Sequence, residues 1–347
     1  MHELNPITDP RWRHFVNQRS DSSVFHTKEW LEAIHKTYGY QPVAFAKSAG
    51  SEITDGLVFC KIDSWLTGKR LVSLPFSDHC QPLATGVGFT EILHSLTSQR
   101  RVRGQKYIEL RPIDMNMERI GVCEMVKSSS FSFHRINLLP DAKTIYGKFH
   151  ESCIRRKIKR AEREALRHES GRSEELLKKF RHLLLLTRRR HKLPPQPSAW
   201  FDNIVRCLGD AVTIHVASKD ETPVASILTL AYRKKLVYKY GCSDGQFSNM
   251  GGTPMLFWKA IQRAKDDGIE EFDLGRSDYD EPGLIAFKEH LGATSSELSY
   301  YRDPAAAMKM PSPKSSTSPS SLIREAMVRL PDPVLAGVGQ LLYRHMG

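Results

Sequence analysis

Cysteine is scarce and unpaired in this chain of 347 residues: Cys60, Cys80, Cys123, Cys153, Cys207 and Cys242 are scattered, with no CxxC among them. Neither a disulfide framework nor a zinc site has the local spacing it needs. No metal is expected, and the thiols read as buried or incidental ones of a reducing compartment. No run approaches the ~20 apolar residues that span a bilayer. The opening MHELNPITDPRWRHF lacks the apolar core and small-residue cleavage site of an exported chain, so a cytoplasmic protein is expected. RNA-recognition and helix-turn-helix motifs are missing too, which argues against sequence readout of nucleic acid.

Acidic residues are outnumbered, and the imbalance is local. The net charge is +12, and the segment from Lys148 to Lys192 carries +10 of it. Within that segment Ile154, Ile158, Ala161 and Ala165 form one narrow apolar seam at helical spacing, surrounded by Arg155, Arg156, Lys157, Lys159, Arg160 and Arg163. A second helix begins at Ser173 with Glu174 and Glu175, and ends in Arg188, Arg189 and Arg190 before Pro194 and Pro195. Acids at the start and cations at the end complement the helix dipole. Most of these cations read as a solvated face; the sharper reading is an anion site for the phosphates of a substrate, a cofactor or an RNA.

The two halves of the chain echo each other. Trp30 opens an amphipathic run closed by Gly39, and Trp200 one closed by Gly209. Strand-like runs follow, ending at Ser77-Asp78 in LVSLPFSD and at Ser243-Asp244 in LVYKYGCSD. A helix-like run, a glycine and a short strand then end at Arg111 and at Arg276. The Trp-to-Asp separations are 48 and 44 residues and the Asp-to-Arg separations 33 and 32. Four markers in the same order point to a duplicated fold.

The second half reads as helix 199–208, a meander of three strands, the glycine-bearing loop GQFSNMGGT, a helix opened near Pro254 and closed at Gly268, the strand EEFDLGRS, the short helix GLIAFKEHLG and the strand SELSYYRD. Strand, strand, glycine loop, helix, strand, helix, strand is the order of the GNAT acyltransferase fold. An α/β protein of two GNAT-like units with mixed, largely antiparallel sheets is expected. The units fall at 1–147 and 196–303, joined by a basic helical connection at 148–195.

YKYGCSD, the Pro254 helix start, FDLGRS, Phe287-Lys288 before Leu291-Gly292, the basic IRRKIKRAERE, Thr187 to Arg190, FHTKEWL and LPFSD together resemble the Fem-type proteins over about residues 20–303. That resemblance implies an acyltransferase acting on an amine of a cell-envelope, peptidoglycan or exopolysaccharide precursor, small or lipid-linked. The donor it implies is acyl-CoA or a charged tRNA, with no tightly bound cofactor. It also implies that Lys288 approaches the reacting acyl group, where a cation beside a developing oxyanion is a large catalytic term. The loop SNMGGTP departs from the Arg/Gln-x-x-Gly-x-Gly/Ala turn of acetyl-CoA users, and Pro254 removes one backbone donor. A non-catalytic binding protein on a degenerate fold is the alternative from another class.

Among single residues, Arg190 suits bidentate phosphate binding, with Arg155, Arg156 and Lys159 as a supporting patch. Asp78 is a candidate for positioning the acceptor, although turn capping is the common reason for such an Asp. Arg276 is a substrate contact or a structural partner of Asp273 or Asp278. Tyr238 and Tyr240, read as alternating on one strand face, offer a phenol as general acid, and Tyr240 is taken as the catalytic candidate. After a Ser/Pro-rich linker at 304–321, a helix at 322–347 places Leu322, Ile323, Ala326, Met327 and Leu330 on one face. It would dock on its own domain or lie peripherally on a membrane.

Overall fold

The computed structural model describes residues 1–113, 115, 117, 125–303 and 331–346, in two compact units. The first holds residues 1–131, 297–303 and 340–346 of those described; the second holds 132–296 and 331–339.

In the first unit strand β1 (His2–Leu4) precedes helices α1 (Pro10–Gln18) and α2 (Lys28–Tyr38). The hairpin β2 (Gln41–Ala49) and β3 (Glu52–Ile62) comes next, then β4 (Arg70–Val72), α3 (Gly86–Gln99) and β5 (Ile108–Leu110). Local chemistry sets the boundaries. The Asp9 carboxylate accepts the Arg11 N–H ahead of Pro10, the Thr27 hydroxyl accepts the Trp30 N–H, and Gly39 ends α2 at φ 72°. Strand β2 is buried continuously over residues 42–46 instead of alternating, as a strand covered on both faces must be. On one face α1 presses so close that a Cβ on Gly56 would lie 2.7 Å from the Trp12 ring. On the other, Phe89, Ile92 and Leu93 of α3 join Phe45 and Phe59 in one apolar cluster.

The second unit takes in β6 (Val126–Asn137) from Ser132 onward, α4 (Ala142–Gly147), a π-helical turn (Glu151–Arg155) and α5 (Arg156–Arg163). Strand β7 (Arg167–Gly171), α6 (Glu174–Arg190), α7 (Ser198–Leu208) and the meander β8 (Val212–Lys219), β9 (Thr222–Tyr232) and β10 (Lys235–Ser243) follow. Helix α8 (Gly252–Asp266), β11 (Glu271–Ser277) and α9 (Pro282–His290) lead into β12 (Thr294–Asp303), and α10 (Asp332–Met346) is the last described element.

The units share one plan. β1-β2-β3-β4 are antiparallel neighbours and β4 pairs with β5 in parallel. Likewise β7-β8-β9-β10 are antiparallel and β10 pairs with β11 in parallel. Each sheet is completed by an antiparallel strand from elsewhere in the chain. The last strand, β12, lies on β5 with Tyr301 opposite Leu110, while β6 lies on β11 with Ile136 opposite Phe272. The tandem α/β fold expected from the repeat is therefore present, with Trp30 on α2 and Trp200 on α7 in equivalent places.

Two details differ from the sequence reading. The basic segment contains a strand, β7, because Arg167 to Gly171 hydrogen-bond along the open edge of β8. The apolar seam keeps Ile154, Ile158 and Ala161, all buried. It loses Ala165, which lies beyond the end of α5 at φ 54°. The linker at 304–321 and the apolar face from Leu322 to Leu330 lie outside the described residues. The last turn of α10 docks in the first unit, where Tyr40 Oη donates to the Tyr343 and Arg344 carbonyls, each at 3.0 Å.

Candidate acyl-transfer site

Among the described residues the parallel pairing of β10 with β11 runs only from Lys235 to Val237, although β10 continues to Ser243 and β11 to Ser277. Beyond Val237 the strands part, and a cavity of about 350 Å³ opens on this stretch. Tyr238, Gly241 and Ser243 of β10 line it, with Val224 and Ala225 of β9, Gly252, Thr253 and Pro254 of α8, and Leu284 and Phe287 of α9. Lys157 and Arg190 bring positive charge to the same space, Thr187 a hydroxyl and His191 an imidazole.

The first turn of α8 has no side-chain cap; its N-cap is Gly251, left-handed at φ 81°. Unsatisfied N–H groups and the positive end of the helix dipole attract an anion there. Pro254 gives up one donor but leaves those of Gly252 and Thr253. Gly251 is required by its conformation and by crowding, since a Cβ would meet the Lys157 carbonyl oxygen at 2.0 Å. Gly251, read in sequence as part of a departure from the acetyl-CoA pattern, thus lets the first turn of α5 approach the start of α8 closely.

Sequence-derived candidates fall in different places. Arg190 reaches the cavity; its guanidinium donates to the Ser243 carbonyl at 3.0 Å, and Thr187 Oγ1 donates to the same oxygen. Arg155 sits on the π-helical turn 3.7 Å from Glu151. Arg156 and Lys159 flank an open groove on α5 with Glu162 and Arg163. Lys288 is not on a surface: it is 2% exposed, and its ammonium donates to the carbonyls of Gly275 and Arg276, each at 3.0 Å. Those carbonyls belong to an irregularity of β11 between Asp273 and Arg276, where the Asp273 carboxylate accepts the Gly275 N–H at 2.7 Å.

The two tyrosines require a correction. A bulge at Lys239 shifts the register of β10 against β9 between Tyr238 and Tyr240, so they face opposite sides. Tyr238 packs on Phe257 of α8 and lines the cavity. Tyr240 packs on Phe201 of α7, and its hydroxyl accepts the Trp200 indole N–H at 2.7 Å. Bulges insert one unpaired residue and so break the period of two. Strict alternation could not reveal this one. The phenol at the cavity is that of Tyr238.

In the first unit the equivalent place is closed. Pairing of β4 with β5 is extended by Ser73 N–H to the Glu109 carbonyl at 2.8 Å and by Cys80 N–H to the Arg111 carbonyl at 2.7 Å. The LPFSD turn fills the space, with Leu74 at φ 53° and Phe76 at φ 61°. Its hold is dense: Arg111 donates to the Leu74 and Ser77 carbonyls, Trp30 Nε1 to Ser77 Oγ, and Tyr300 Oη to the Asp78 carbonyl. Asp78 is half-buried at the end of this turn. Cys60, Cys80 and Cys242 are buried, and burial pushes their thiols up, that of Cys80 to about 12, so they are inert at neutral pH.

One group missed in the sequence is a cluster of side chains of the types that can ligate a metal. His150, Cys153 and His290 each bring a ligand atom within 4.8 Å of the others. His150 Nδ1 already accepts the Cys153 N–H at 3.3 Å. His290 is 137 residues beyond Cys153 in the chain, so no local spacing could signal the group.

A sequence profile of the acetyltransferase (GNAT) domain matches residues 149–289, the segment that carries the cavity. No curated protein matches the chain in sequence. Among solved structures, FemX superposes with a TM-score of 0.68 at 14% identity, covering 87% of this chain and 97% of FemX. The C-terminal domain of a lysylphosphatidylglycerol synthetase of Agrobacterium fabrum gives 0.57 at 12% identity, covering 86% and 92%. A tandem GNAT protein from the clavulanic acid biosynthesis pathway gives 0.56 at 8%, covering 86% and 96%. Residues 149–289 match the acetyltransferase (GNAT) domain, and the chain has the tandem GNAT fold seen in FemX and in the clavulanic acid pathway protein.

Proposed function

We propose that the second unit binds an activated acyl donor in the cavity lined by β9, β10 and the starts of α8 and α9 and transfers the acyl group to an amine of a cell-envelope precursor. The observation that carries this reading is the uncapped start of α8, with Lys157 and Arg190 beside it at one end of a partly apolar cavity. Phosphate of the donor would take the Gly252 and Thr253 N–H groups and the Arg190 guanidinium. The acyl chain would lie against Tyr238 and Phe287. Tyr238 is the candidate proton donor to the leaving group, and Lys288 a positioning residue that holds the β11 irregularity and keeps the strands apart. Arg276 remains a candidate for the acceptor side. The lysylphosphatidylglycerol synthetase among the similar folds favours a lipid or lipid-linked acceptor.

A charged tRNA is the second donor reading, favoured by the open groove flanked by Arg156, Lys159 and Arg163. Calorimetric titration with acetyl-CoA and with charged tRNA separates the two. Saturable acetyl-CoA binding, weakened about tenfold by Arg190→Ala through loss of a charge-assisted contact, is the expected result. Binding of tRNA alone would transfer the reading to the α5 groove, and no binding of either would leave a non-catalytic binding protein. Lys288→Met should lower kcat with little change in donor affinity; an unchanged kcat would remove its positioning role.

A further inference from the structure

The first unit has a second cavity, of about 270 Å³, where β3 ends and β4 begins. Lys61, Lys69, Arg103 and Arg344 line it, Arg70 is buried beside it, and Asp63 is its acidic member. Lys69 and Asp63 lie 3.5 Å apart but are 59% and 74% exposed, so water screens their pairing. Glu3 takes contacts from both Lys61 and Arg103, and the space keeps an excess of positive charge.

The two loops that frame this cavity carry exposed apolar side chains. Trp65 is 83% exposed, Leu66 56% and Val102 90%. The loops are tied together, since Lys106 Nζ donates to the Thr67 carbonyl at 3.1 Å. Helix α10 is fixed beside them: Arg70 donates to the His345 carbonyl at 2.8 Å, and the Trp65 and His345 rings meet edge to face at 5.6 Å. That anchoring holds Arg344 at the cavity, with Leu341, 60% exposed, one turn earlier.

An apolar loop alone would suit many partners, and a ring of cations alone would suit any polyanion. Here tryptophan and leucine tips border cations around a cavity large enough for a phosphate. The combination matches the boundary of an anionic bilayer, where an amphipathic Trp ring sits at headgroup depth and Lys and Arg meet lipid phosphate. We propose that this face of the first unit docks on an anionic phospholipid membrane, with Trp65 and Leu66 entering the interface and a lipid phosphate held among Lys61, Lys69, Arg103 and Arg344. The docking surface lies outside the 322–330 stretch and does not depend on the transfer reading.

Flotation of the full chain with vesicles tests it. One set would be phosphatidylcholine alone, the other phosphatidylcholine with a quarter phosphatidylglycerol, in about 0.1 M salt so that screening is moderate. Binding to the anionic vesicles should be at least about tenfold tighter than to the neutral ones. It should fall about tenfold in the Lys69→Glu/Arg344→Glu variant and in Trp65→Ser, both with unchanged melting curves because these side chains are exposed. Brominated lipid should quench Trp fluorescence in the parent and much less in Trp65→Ser. Absent binding to anionic vesicles, or binding that survives both variants, would overturn the proposal. So would calorimetric binding of glycerol phosphate without vesicle binding, which would make the cavity a site for a soluble anion. No acyl donor or acceptor enters the assay, so its failure is distinct from failure of the transfer reading.

Discussion

Glu109 is 1% exposed, and a buried carboxylate survives only with close partners. Burial alone would raise its carboxyl pKa, but the guanidiniums of Arg111 and Arg302 overcome that and hold it below the usual range. Arg111 in turn donates to Glu109 at 2.8 Å, meets the Leu74 and Ser77 carbonyls, and lies over the Tyr300 ring at 4.9 Å. Replacing Arg111 by Ala strands the carboxylate and releases the strained LPFSD turn. The expected loss is about 3 to 5 kcal/mol, read from urea unfolding. A loss below about 1 kcal/mol would mean that Arg302 alone suffices. The Asp78 and Arg111 markers were legible as spacings; that the arginine braces the turn was not, because its acceptors are backbone carbonyls and carry no residue signature.

At the scale of elements, α8 and β10 decide the site. The start of α8 near Pro254 and its end at Gly268 could be read from residue chemistry, and the meander from its strand pattern. The left-handed Gly251 could not, since its requirement comes from the Lys157 carbonyl of a segment far away in sequence. Gly251→Ala should therefore cost about 1 to 3 kcal/mol by thermal unfolding and weaken donor binding. Wild-type values for both would show that the two segments can separate freely. The bulge at Lys239 escaped the sequence for the same reason: an inserted residue is paid for by packing, with Tyr238 on α8 and Tyr240 on α7.

For the molecule as a whole, three buried histidines couple folding to pH. Desolvation lowers His26 to about 4, His134 to about 4 and His215 to about 3. Burial keeps His26 neutral against the opposing pull of its hydrogen bonds to Gln81 and Ser23. Between the ordinary value of 6.5 and about 4, the unfolded chain binds protons that the folded chain refuses, so stability falls as pH falls through this window. His26 by itself accounts for on the order of 3 kcal/mol. The urea midpoint should drop on going from about pH 7 to about pH 4.5, less so in His26→Gln. A midpoint that stays flat would contradict neutral burial.

Sequence alone determined the class of the protein, because helix caps, strand alternation and the duplicated Trp, Asp and Arg markers are local or depend only on spacing along the chain. It determined the concentration of positive charge and the GNAT order of elements for the same reason. Tertiary structure alone decided which unit is open. Both copies follow one plan, yet β10 and β11 part beyond Val237, whereas hydrogen bonds from Ser73 and Cys80 and the LPFSD turn close the equivalent space. It also decided that Lys288 is buried on two carbonyls, that Tyr238 replaces Tyr240 at the cavity, and that Trp65 meets His345. Each of these depends on contacts between distant segments, and a linear pattern does not record what lies across the fold.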